Sequence, residues 1–342
     1  MTIFEKVSFQ IESELPFVLY SEPNQQKICA LLQKDTVLHT FKGQDGFVMA
    51  SFELDKVIVI PKVNSDYIEE EKSNYVEAKS TKADYQSSAE ARSNFEKLVA
   101  KAVKAIQEGV FEKVVVSRTL EIQKQVEVFS TFIRMMQQYP TAFCSLFYHP
   151  KSGCWMGATP EQLVKVKESQ LETVALAGTQ AKATFENWSS KEIHEQQVVT
   201  DYVVNLVQSE VKNIKISDAK TVEAGQLVHL KTIISGEIQS QIALEKIVHD
   251  LHPTPAVCGF PRNLAFDFIV KNENYSREFY SGYLGLWEGT KSNANLFVNL
   301  RCMLVQKNKV IPYVGCGITA KSNPSLEFLE TEHKSMTMRN IL

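Results

Sequence analysis

The sequence has no pattern that would mark the chain for export, for a membrane or for a disulfide framework. No apolar run approaches the length of about 18 residues that a membrane-spanning helix needs. Residues 1–10 carry acidic and basic side chains where a signal peptide would have an apolar core. The six cysteines are scattered and none forms a C-x-x-C pair, which favours reduced core thiols. We therefore expect a cytoplasmic protein without a membrane segment.

Neither acidic nor basic residues are in large excess. Lys and Arg number 37 against 40 for Asp and Glu, so the net charge of −3 gives no overall attraction to nucleic acid or to anionic lipid. The apolar fraction of 44% and the charged fraction of 23% are typical of a globular protein. A chain of 342 residues can form one large domain or two ordinary ones. No internal repeat and no low-complexity tract divides it.

Two short acidic motifs are the most informative feature of the chain. They are Glu192-x-x-Glu195 and Glu327-x-x-Glu330, each near the start of a helix-like stretch. Because residues three apart on a helix lie on one face, both carboxylates of a motif point the same way. The apolar residues that continue the first face are Val198, Val199, Tyr202 and Leu206. This pattern predicts that Glu195 lies on the buried side of its helix, where an uncompensated carboxylate is costly.

If the two motifs converge, their four carboxylates require a cation. Oxygen ligands without a Cys or His partner favour Mg²⁺, shared with an anionic substrate. A simpler interpretation is also open, because Ser189-x-x-Glu192 is a capping box that only closes the first helical turn. Taken alone, either motif is more typical of a solvated helix start.

Two further titratable side chains have both a structural and a chemical interpretation. Lys113 begins a strand predicted over Lys113–Ile122. A lysine at a strand entry is most often a solvent-facing edge residue. The alternative is a buried lysine whose lowered pKa lets it accept a proton. Glu161 follows Pro160 on a predicted loop, where a carboxylate is ordinarily exposed.

The rest of the pattern predicts a mixture of helices and strands. Residues 1–61 are predicted to be an irregular α+β start, and residues 62–90 a solvated connection. Ser93-x-x-Glu96 has the pattern of a capping box, which predicts a helix from there to Gly109.

The C-terminal region has a clear hairpin and helix pattern. A strand over Leu296–Val305 is predicted to pair with Val310–Val314. Asn299 and Arg301 would then share one strand face, where an Arg among apolar neighbours needs a carboxylate partner. Asn323-Pro324 predicts the start of the terminal helix that carries the second acidic motif.

Several segments, in this order, resemble the chorismate-utilising enzymes, which are the isochorismate, salicylate, anthranilate and aminodeoxychorismate synthases. The matching segments are Lys113–Arg118, Gly157–Glu161, Leu176–Thr179, His194-Glu195, His252–Ala256, Arg277–Gly282, Gly315–Gly317 and Glu327–Thr331. Their joint occurrence is highly specific. The resemblance implies an α+β fold in which two large, mainly antiparallel β-sheets pack as a sandwich flanked by helices, with the active site between them. Residues 1–342 would form a single domain, with a variable part over 1–90 and the family motifs over 92–342.

The resemblance also implies roles for the acidic motifs. Glu195 and Glu330 would bind Mg²⁺ directly, and Glu192 and Glu327 would hold it through water. The substrate-binding residues that it implies are Ala177, Gly178, Thr179, His229, Ala256, Val257, Tyr280, Arg301, Gly315, Gly317 and Lys334.

The chemistry that the resemblance implies is addition of a nucleophile at ring carbon 2 of chorismate while the hydroxyl at carbon 4 leaves. Lys113 matches the family's base, which takes a proton from water. Glu161 matches the acid, which protonates the leaving hydroxyl. Lys113 must then be neutral and Glu161 protonated before turnover, so the site has to shift both pKa values toward neutrality.

Individual residues favour one branch of this family. Ammonia-using members typically lack a lysine at the position of Lys113, so its presence favours water. Ala177 stands where aminodeoxychorismate synthases often have a nucleophilic lysine, and Ala256 where salicylate synthases tend to have threonine. Pro255–Gly259 is similar to isochorismate synthase. Gln196 departs from the pattern, because His commonly follows the metal-binding Glu, which leaves metal affinity open.

We therefore expect an isochorismate synthase that acts on chorismate as a monomer, without a glutamine amidotransferase subunit. One rival is salicylate synthase, which would go on to release pyruvate. Another is a non-catalytic aromatic-acid binding protein on the same scaffold. A metal-dependent phosphohydrolase is disfavoured because the sequence has no D-x-D or His-Asp cluster. Menaquinone and siderophore pathways both stay open, with a lean to menaquinone by analogy.

Overall fold

The computed structural model describes residues 2–75, 85–182, 185–224, 227–289 and 293–342, without the side chains of residues 179, 181, 191, 223, 224 and 227. The α-helices in these ranges are α1 (Ile3–Glu12), α2 (Ala89–Gln107), α3 (Val128–Gln138), α4 (Ser190–Val207), α5 (Gln241–Leu251), α6 (Arg262–Asn272) and α7 (Pro324–Arg339). The strands are β1 (Phe17–Ser21), β2 (Lys27–Gln33), β3 (His39–Thr40), β4 (Gly46–Ala50), β5 (Val57–Pro61), β6 (Ser65–Glu71), β7 (Lys113–Thr119), β8 (Phe143–His149), β9 (Gly153–Thr159), β10 (Gln162–Lys167), β11 (Gln170–Ala181), β12 (Val211–Ile216), β13 (Lys220–Ala224), β14 (Leu227–Ile238), β15 (Gly259–Phe260), β16 (Tyr283–Glu288), β17 (Asn293–Val298), β18 (Cys302–Val305) and β19 (Val310–Ile318).

The strands form two large antiparallel sheets. One sheet has the order β15-β7-β19-β18-β9-β8-β1-β2-β6. The other has the order β12-β14-β11-β10-β17-β16-β4-β5-β3, and β13 also pairs with β14. The expected fold class, a two-sheet α+β sandwich with flanking helices, is confirmed.

Aromatic side chains fill the space between the two sheets. Phe143 on β8 stacks on Phe297 on β17 with their ring centroids 4.4 Å apart. Tyr20 on β1 and Phe47 on β4 make a second contact across the interface, at 5.8 Å. All four side chains are buried, and burial of one such side chain contributes about 1.5–3 kcal/mol. These aromatic contacts hold the two sheets together.

The N-terminal part supplies strands to both sheets. β1, β2 and β6 extend one sheet, and β3, β4 and β5 extend the other. The predicted solvated connection over 62–90 is therefore wrong for Ser65–Glu71, which is β6; residues 76–84 of that range lie outside the described residues. The charged side chains of β6 face solvent because it is an edge strand, so its sequence is similar to that of a linker.

Helix α2 begins earlier than the sequence pattern predicted. Its N-cap is Ser88, whose hydroxyl accepts from Ala91 N–H, so the predicted start at Ser93 is wrong. Glu96 accepts instead from Arg92 Nε at 2.9 Å within the helix. The predicted end is confirmed, because Gly109 follows the helix with a φ of 77°, a common conformation after a helix C-terminus.

The terminal helix α7 begins as the sequence predicted. Its N-cap is Asn323, whose side chain accepts from two backbone N–H groups, and Pro324 is the first helical residue. None of the described helices has the length and apolarity needed to cross a membrane.

The predicted strand over Leu296–Val305 is broken in two. Its first part belongs to β17 in one sheet and its second part to β18 in the other, and residues 299–301 carry the chain between them. Arg301 adopts a φ of 49°, in the left-handed region. Asn299 and Arg301 therefore do not share a strand face, and the Asn299 amide donates to Phe279 O at 2.9 Å. This crossing places Arg301 where the two sheets meet.

The predicted hairpin after the crossing is confirmed. β18 pairs with β19, and Met303 stands opposite Pro312. β19 continues into a pairing with β7 over Val114–Thr119. Helix α7 packs on β19 and helix α4 packs on β11, so each acidic motif is carried by a helix that packs on a different sheet.

Candidate active site

Lys113 is the first residue of β7, where it is half-buried, and its amine lies beside Gly317 of β19. A Cβ at Gly317 would lie 3.2 Å from Lys113 Cε, so glycine leaves the room that the lysine occupies. Burial lowers the pKa of Lys113, against the opposing attraction of Glu195, Glu161 and Glu330. The solvent-facing interpretation of Lys113 does not fit this environment.

Glu161 stands at the turn between β9 and β10 and is half-buried. Its backbone is fixed, because Val298 N–H donates to Glu161 O at 2.9 Å. Burial raises the pKa of Glu161, while the nearby charges of Lys113, Arg301 and Lys334 lower it, and the net shift is upward. The carboxyl therefore favours the protonated form more than an exposed glutamate does.

Lys113 and Glu161 are a matched pair of titratable groups. Each lies within electrostatic range of the other, and their pKa values are shifted in opposite directions from their ordinary values. The shifts favour a neutral amine and a protonated carboxyl within electrostatic range of each other. Such a pair can accept a proton at one point and deliver a proton at another.

Two further cationic side chains, Arg301 and Lys334, lie within electrostatic range of Glu161. Burial lowers the pKa of Arg301, against the attraction of Tyr280, Glu330 and Glu161. Lys334 on α7 pairs with Glu330 at 2.7 Å and donates to Gly315 O at 3.0 Å. Cations at these positions suit an anionic ligand.

A bulge in β11 shapes another part of the site. The register between β11 and β14 shifts between Ala177 and Thr179, and Gly178 has a φ of 65°. His229 on β14 donates from Nδ1 to Gly178 O at 3.2 Å. Burial lowers the pKa of His229, with Lys334 and Lys113 acting in the same direction, which favours a neutral imidazole. Ala177 is buried, and the side chain of Thr179 lies outside the described residues.

The remaining substrate-binding residues predicted from the sequence lie around β19 and the loop before β15. A Cβ at Gly315 would lie 2.8 Å from the hydroxyl of Tyr280, so glycine is required there. Tyr280 is buried and its ring stacks on Tyr313 with centroids 5.5 Å apart. In the loop, Val257 is buried and Ala256 is half-buried.

The prediction that Glu195 lies on the buried side of α4 is wrong. Glu195 is exposed, and the next residue, Gln196, is buried. The buried face of the helix runs through Gln196, Thr200, Val203 and Val207, about one residue around from the predicted stripe. Glu195 nevertheless lies within electrostatic range of Lys113 and is the largest of the charges that raise its pKa.

Glu192 adopts the capping role that the simpler interpretation proposed. Its carboxylate accepts from Ser189 N–H at 3.1 Å and also from the Ser189 hydroxyl. A Cβ at Gly178 would lie 3.4 Å from Glu192 Cβ, so this cap also borders the β11 bulge. On α7, the pKa of Glu327 is raised by burial and by the charge of Glu330, although hydrogen bonds from Ser322 and Cys316 oppose the shift.

The four acidic side chains of the two motifs fit a hard cation by their chemistry. Carboxylate oxygens are the ligands that Mg²⁺ prefers. The charge of Glu330 adds to burial in raising the pKa of Glu327, and a cation would relieve that repulsion. In the side-chain positions of this structure, no three His, Cys, Asp or Glu of the described ranges stand close enough together to hold a metal ion. Glu195 on α4 and Glu330 on α7 both lie within electrostatic range of Lys113.

The sequence patterns did not predict two buried polar contacts of strand β7, on which Lys113 lies. Arg118 on β7 is buried and donates from Nε to Thr331 Oγ1 of α7 at 2.8 Å. Glu273 and Arg277 form an ion pair at 2.6 Å, with each side chain 2% exposed. A polar residue within an apolar segment, such as Arg118 in β7, indicates a buried polar contact. The partner could not be predicted, because Arg118 and Thr331, like Ser117 and Glu273, are more than 150 residues apart in sequence.

The chain belongs to the family described as chorismate binding enzyme, whose sequence pattern matches residues 47–342. The family resemblance drawn from the motifs is thereby confirmed.

Three related proteins carry the name isochorismate synthase. The salicylate biosynthesis isochorismate synthase of Pseudomonas aeruginosa is 31% identical over 268 residues, which are 75% of this chain and 56% of that protein. Isochorismate synthase EntC of Escherichia coli is 28% identical over 263 residues, 73% of this chain and 67% of that protein. Isochorismate synthase MenF of Escherichia coli is 28% identical over 264 residues, 73% of this chain and 60% of that protein. The matched region thus spans roughly half to two thirds of these relatives' own lengths.

Solved structures show the same fold. A 2,3-dihydroxybenzoate-specific isochorismate synthase, DhbC from Bacillus anthracis, superposes with a TM-score of 0.78 at 22% identity, covering 98% of both chains. Anthranilate synthase component I from Streptococcus pneumoniae superposes with a TM-score of 0.73 at 16% identity, covering 95% of this chain and 92% of that one. At these identities the likeness concerns the fold alone, and it includes enzymes of more than one branch.

Proposed function

We propose that this chain converts chorismate to isochorismate, by addition of water at ring carbon 2 and loss of the hydroxyl at carbon 4. The observation that carries the proposal is the pair of opposite pKa shifts at Lys113 and Glu161, which lie within electrostatic range of each other. Family membership and the names of the relatives support the substrate and the reaction.

Lys113 acts as the base in this proposal. Its lowered pKa supplies the neutral amine that takes a proton from the attacking water. Glu161 acts as the acid, since its raised pKa supplies the proton for the departing hydroxyl. General acid and general base catalysis each contribute typically ~10²–10⁴-fold. In the reverse direction the two residues exchange roles.

The cations and the glycine-rich strand hold the substrate in this proposal. Arg301 and Lys334 bind the substrate carboxylates, together with backbone N–H groups at Gly315 and Gly317. The Lys334 amine already donates to Gly315 O, so it is oriented toward β19 before substrate arrives. The β11 bulge at Gly178 lines the ring.

We further propose that the acidic motifs hold Mg²⁺, with Glu195 and Glu330 as direct ligands and Glu192 and Glu327 acting through water. When bound, the ion neutralises and orients a substrate carboxylate. Because Glu330 also pairs with Lys334 at 2.7 Å, the same carboxylate orients a substrate-binding lysine.

The choice of water over ammonia follows from Lys113 in this proposal, so the enzyme needs no glutamine amidotransferase subunit. Family resemblance favours a monomer. Ala177 and Ala256 place no lysine or threonine against the ring, which favours release of isochorismate over further elimination.

The test is a product analysis with purified protein. Chorismate and Mg²⁺ are incubated with the enzyme, and the products are separated by chromatography, with a parallel sample in excess EDTA. We expect isochorismate in equilibrium with chorismate, and none when the metal is chelated. Salicylate with pyruvate would assign the chain to the salicylate synthases instead. Tight chorismate binding without any turnover would make it an aromatic-acid binding protein.

A further inference from the structure

A buried ion pair lies behind the strand that carries Lys113. Glu273 follows α6, and Arg277 stands four residues further on in the loop before β16. Removing two charges from water is costly unless further hydrogen bonds satisfy them. The further bonds of this pair go to β7 and to the loop that precedes β15, which are both part of the candidate site.

The carboxylate of the pair binds β7. Glu273 Oε1 accepts from Ser117 N–H at 2.6 Å, and the Ser117 hydroxyl donates to the same carboxylate at 2.9 Å. The guanidinium of Arg277 binds two segments at once. It donates to Val115 O on β7 at 2.6 Å and to Val257 O in the loop at 3.0 Å.

These bonds occupy an edge of β7 that has little strand pairing. On its other edge β7 pairs with β19 over six residues, Val114–Thr119. On this edge β15 pairs only with Lys113 and Val114, and within the described ranges no strand continues past them. The ion pair therefore satisfies backbone groups of Val115 and Ser117 that a neighbouring strand would otherwise bind.

We propose that Glu273 and Arg277 are positioning residues for the reaction, because they hold Lys113 in register with the loop that carries Ala256 and Val257. Lys113 is two residues from Val115, and one guanidinium contacts Val115 and Val257 together. The inference rests on the proposed function, in which Lys113 is the base and the loop borders the ring. A misplacement of about 1 Å at such a site can lower the rate about 10²-fold.

Arg277→Lys separates positioning from simple charge neutralisation. Lysine keeps a positive charge beside Glu273, but it lacks the planar fork that reaches Val115 O and Val257 O together. We expect kcat of the folded variant to fall about 10²-fold, with a much smaller change in the KM for chorismate. We also expect faster hydrogen exchange in the peptide of residues 113–119, measured by mass spectrometry.

Two further variants complete the experiment. Ile28→Val trims the buried core of β2 at the far end of the sheet, so it controls for loss of stability alone and should leave kcat and the exchange of residues 113–119 unchanged. Ser117→Ala removes only a hydroxyl from the network, and it answers the question if Arg277→Lys does not fold. It should lower kcat about 10-fold and accelerate the same exchange.

The proposal is overturned if folded Arg277→Lys, or Ser117→Ala in its place, keeps both the kcat and the exchange rate of the wild type. It is also overturned if Ile28→Val lowers kcat as much as they do. If the wild type does not convert chorismate, the proposed function fails, and the exchange measurement decides separately whether the ion pair holds β7.

Discussion

The two helices that carry the acidic motifs are held in different ways. Helix α7 is fixed by a cation from β7: Arg118 donates to Thr331 Oγ1 and to Glu332, and its guanidinium lies 4.5 Å from the ring centroid of Phe328. Helix α4 is fixed by an amide. Gln196 donates to Ala175 O at 3.0 Å on β11 and to Thr232 Oγ1 at 2.9 Å on β14.

This difference affects how firmly the carboxylates of each helix are positioned before a ligand binds. Arg118 extends from the same strand as Lys113, so the proposed base and the carboxylates of α7 share one support. The carboxylates of α4 sit in its first two turns, where Glu192 serves as a cap and Glu195 is exposed. We conclude that α7 supplies a fixed half of the site, and that α4 supplies a half whose carboxylates are less constrained.

The largest expected effect comes from Lys113, whose amine is attracted by Glu195 of α4 and by Glu330 of α7. Lys113→Met should lower kcat by about 10³-fold, within the usual range for loss of a general base, while chorismate binding persists. The same variant should be more stable than the wild type. A buried lysine with a lowered pKa destabilises the fold at every pH below its ordinary pKa of 10.5, because the unfolded chain binds the proton more tightly.

Thermal melting checks the second part. The gain in stability of Lys113→Met should be present at neutral pH and should shrink as pH rises toward 10.5, where the unfolded lysine also loses its proton. A variant with near-normal turnover, or one that is less stable at neutral pH, would contradict these roles for Lys113.

The next effect compares the two proposed direct ligands. Glu330→Gln should lower activity about 10²-fold and weaken its dependence on Mg²⁺ concentration, and Glu195→Gln should do the same to a smaller extent. The reason is that Glu330 also orients Lys334, whereas Glu195 has the more exposed position. Metal titrations of activity and of chorismate binding for both variants provide the measurement. An unchanged titration for Glu330→Gln would exclude it as a ligand.

The support of α7 can be tested without touching the site. Arg118→Met leaves the half-buried Glu332 with the more distant Arg339 as its cation, which should lower the free energy of unfolding by about 2 kcal/mol. It should also lower kcat, since α7 loses its register on β7. Chemical denaturation and kinetics of the folded fraction measure the two effects. Loss of stability with an unchanged kcat would mean that α7 keeps its position without Arg118.

The pH dependence of the wild type should be bell-shaped. Activity rises as Lys113 loses its proton, and the lowered pKa moves this limb below the ordinary lysine range. Activity falls as Glu161 loses its proton, and the raised pKa moves that limb above the ordinary glutamate range. Glu161→Gln should be inactive in both directions. If the activity stays constant between pH 4.5 and pH 10.5, the ordinary pKa values of glutamate and lysine, the two pKa shifts are contradicted.

The smallest effect is expected at the start of α4. Glu192→Ala removes the side chain that accepts from Ser189, and loss of such a cap costs about 1 kcal/mol. Ser189→Ala is the matched control, because it disrupts the same cap without removing a carboxylate. Glu192→Ala should in addition raise the Mg²⁺ concentration needed for activity a few-fold, which is about 1 kcal/mol or less. Equal metal dependence in both variants would limit Glu192 to capping.

Local signals predicted the parts of the fold that local chemistry determines. Asn323 and Pro324 marked the start of α7, and Gly109 marked the end of α2, because caps are set by a few adjacent residues. The burial of Glu195 was predicted wrongly because a shift of one residue rotates a helix face by about 100°. The apolar positions near it did not distinguish Glu195 from Gln196.

Long-range pairing accounts for what the sequence pattern missed. Strand β6 is polar because it is an edge strand, and the two-sheet division of Leu296–Val305 depends on partners that are distant in sequence. The same is true of the polar support behind the site, where Ser117 binds a carboxylate 156 residues away. The roles of Lys113 and Glu161 came from family resemblance, and no sequence pattern alone implied the burial that shifts their pKa values.

Isotope labelling tests the central claim most directly. If Lys113 activates a water molecule, conversion of chorismate in H₂¹⁸O should place one ¹⁸O at carbon 2 of isochorismate. Recovered chorismate should gain ¹⁸O at carbon 4 through the reverse reaction. Lys113→Met should incorporate ¹⁸O about 10³-fold more slowly. Isochorismate that forms without ¹⁸O would contradict water addition and the role of Lys113 as its base.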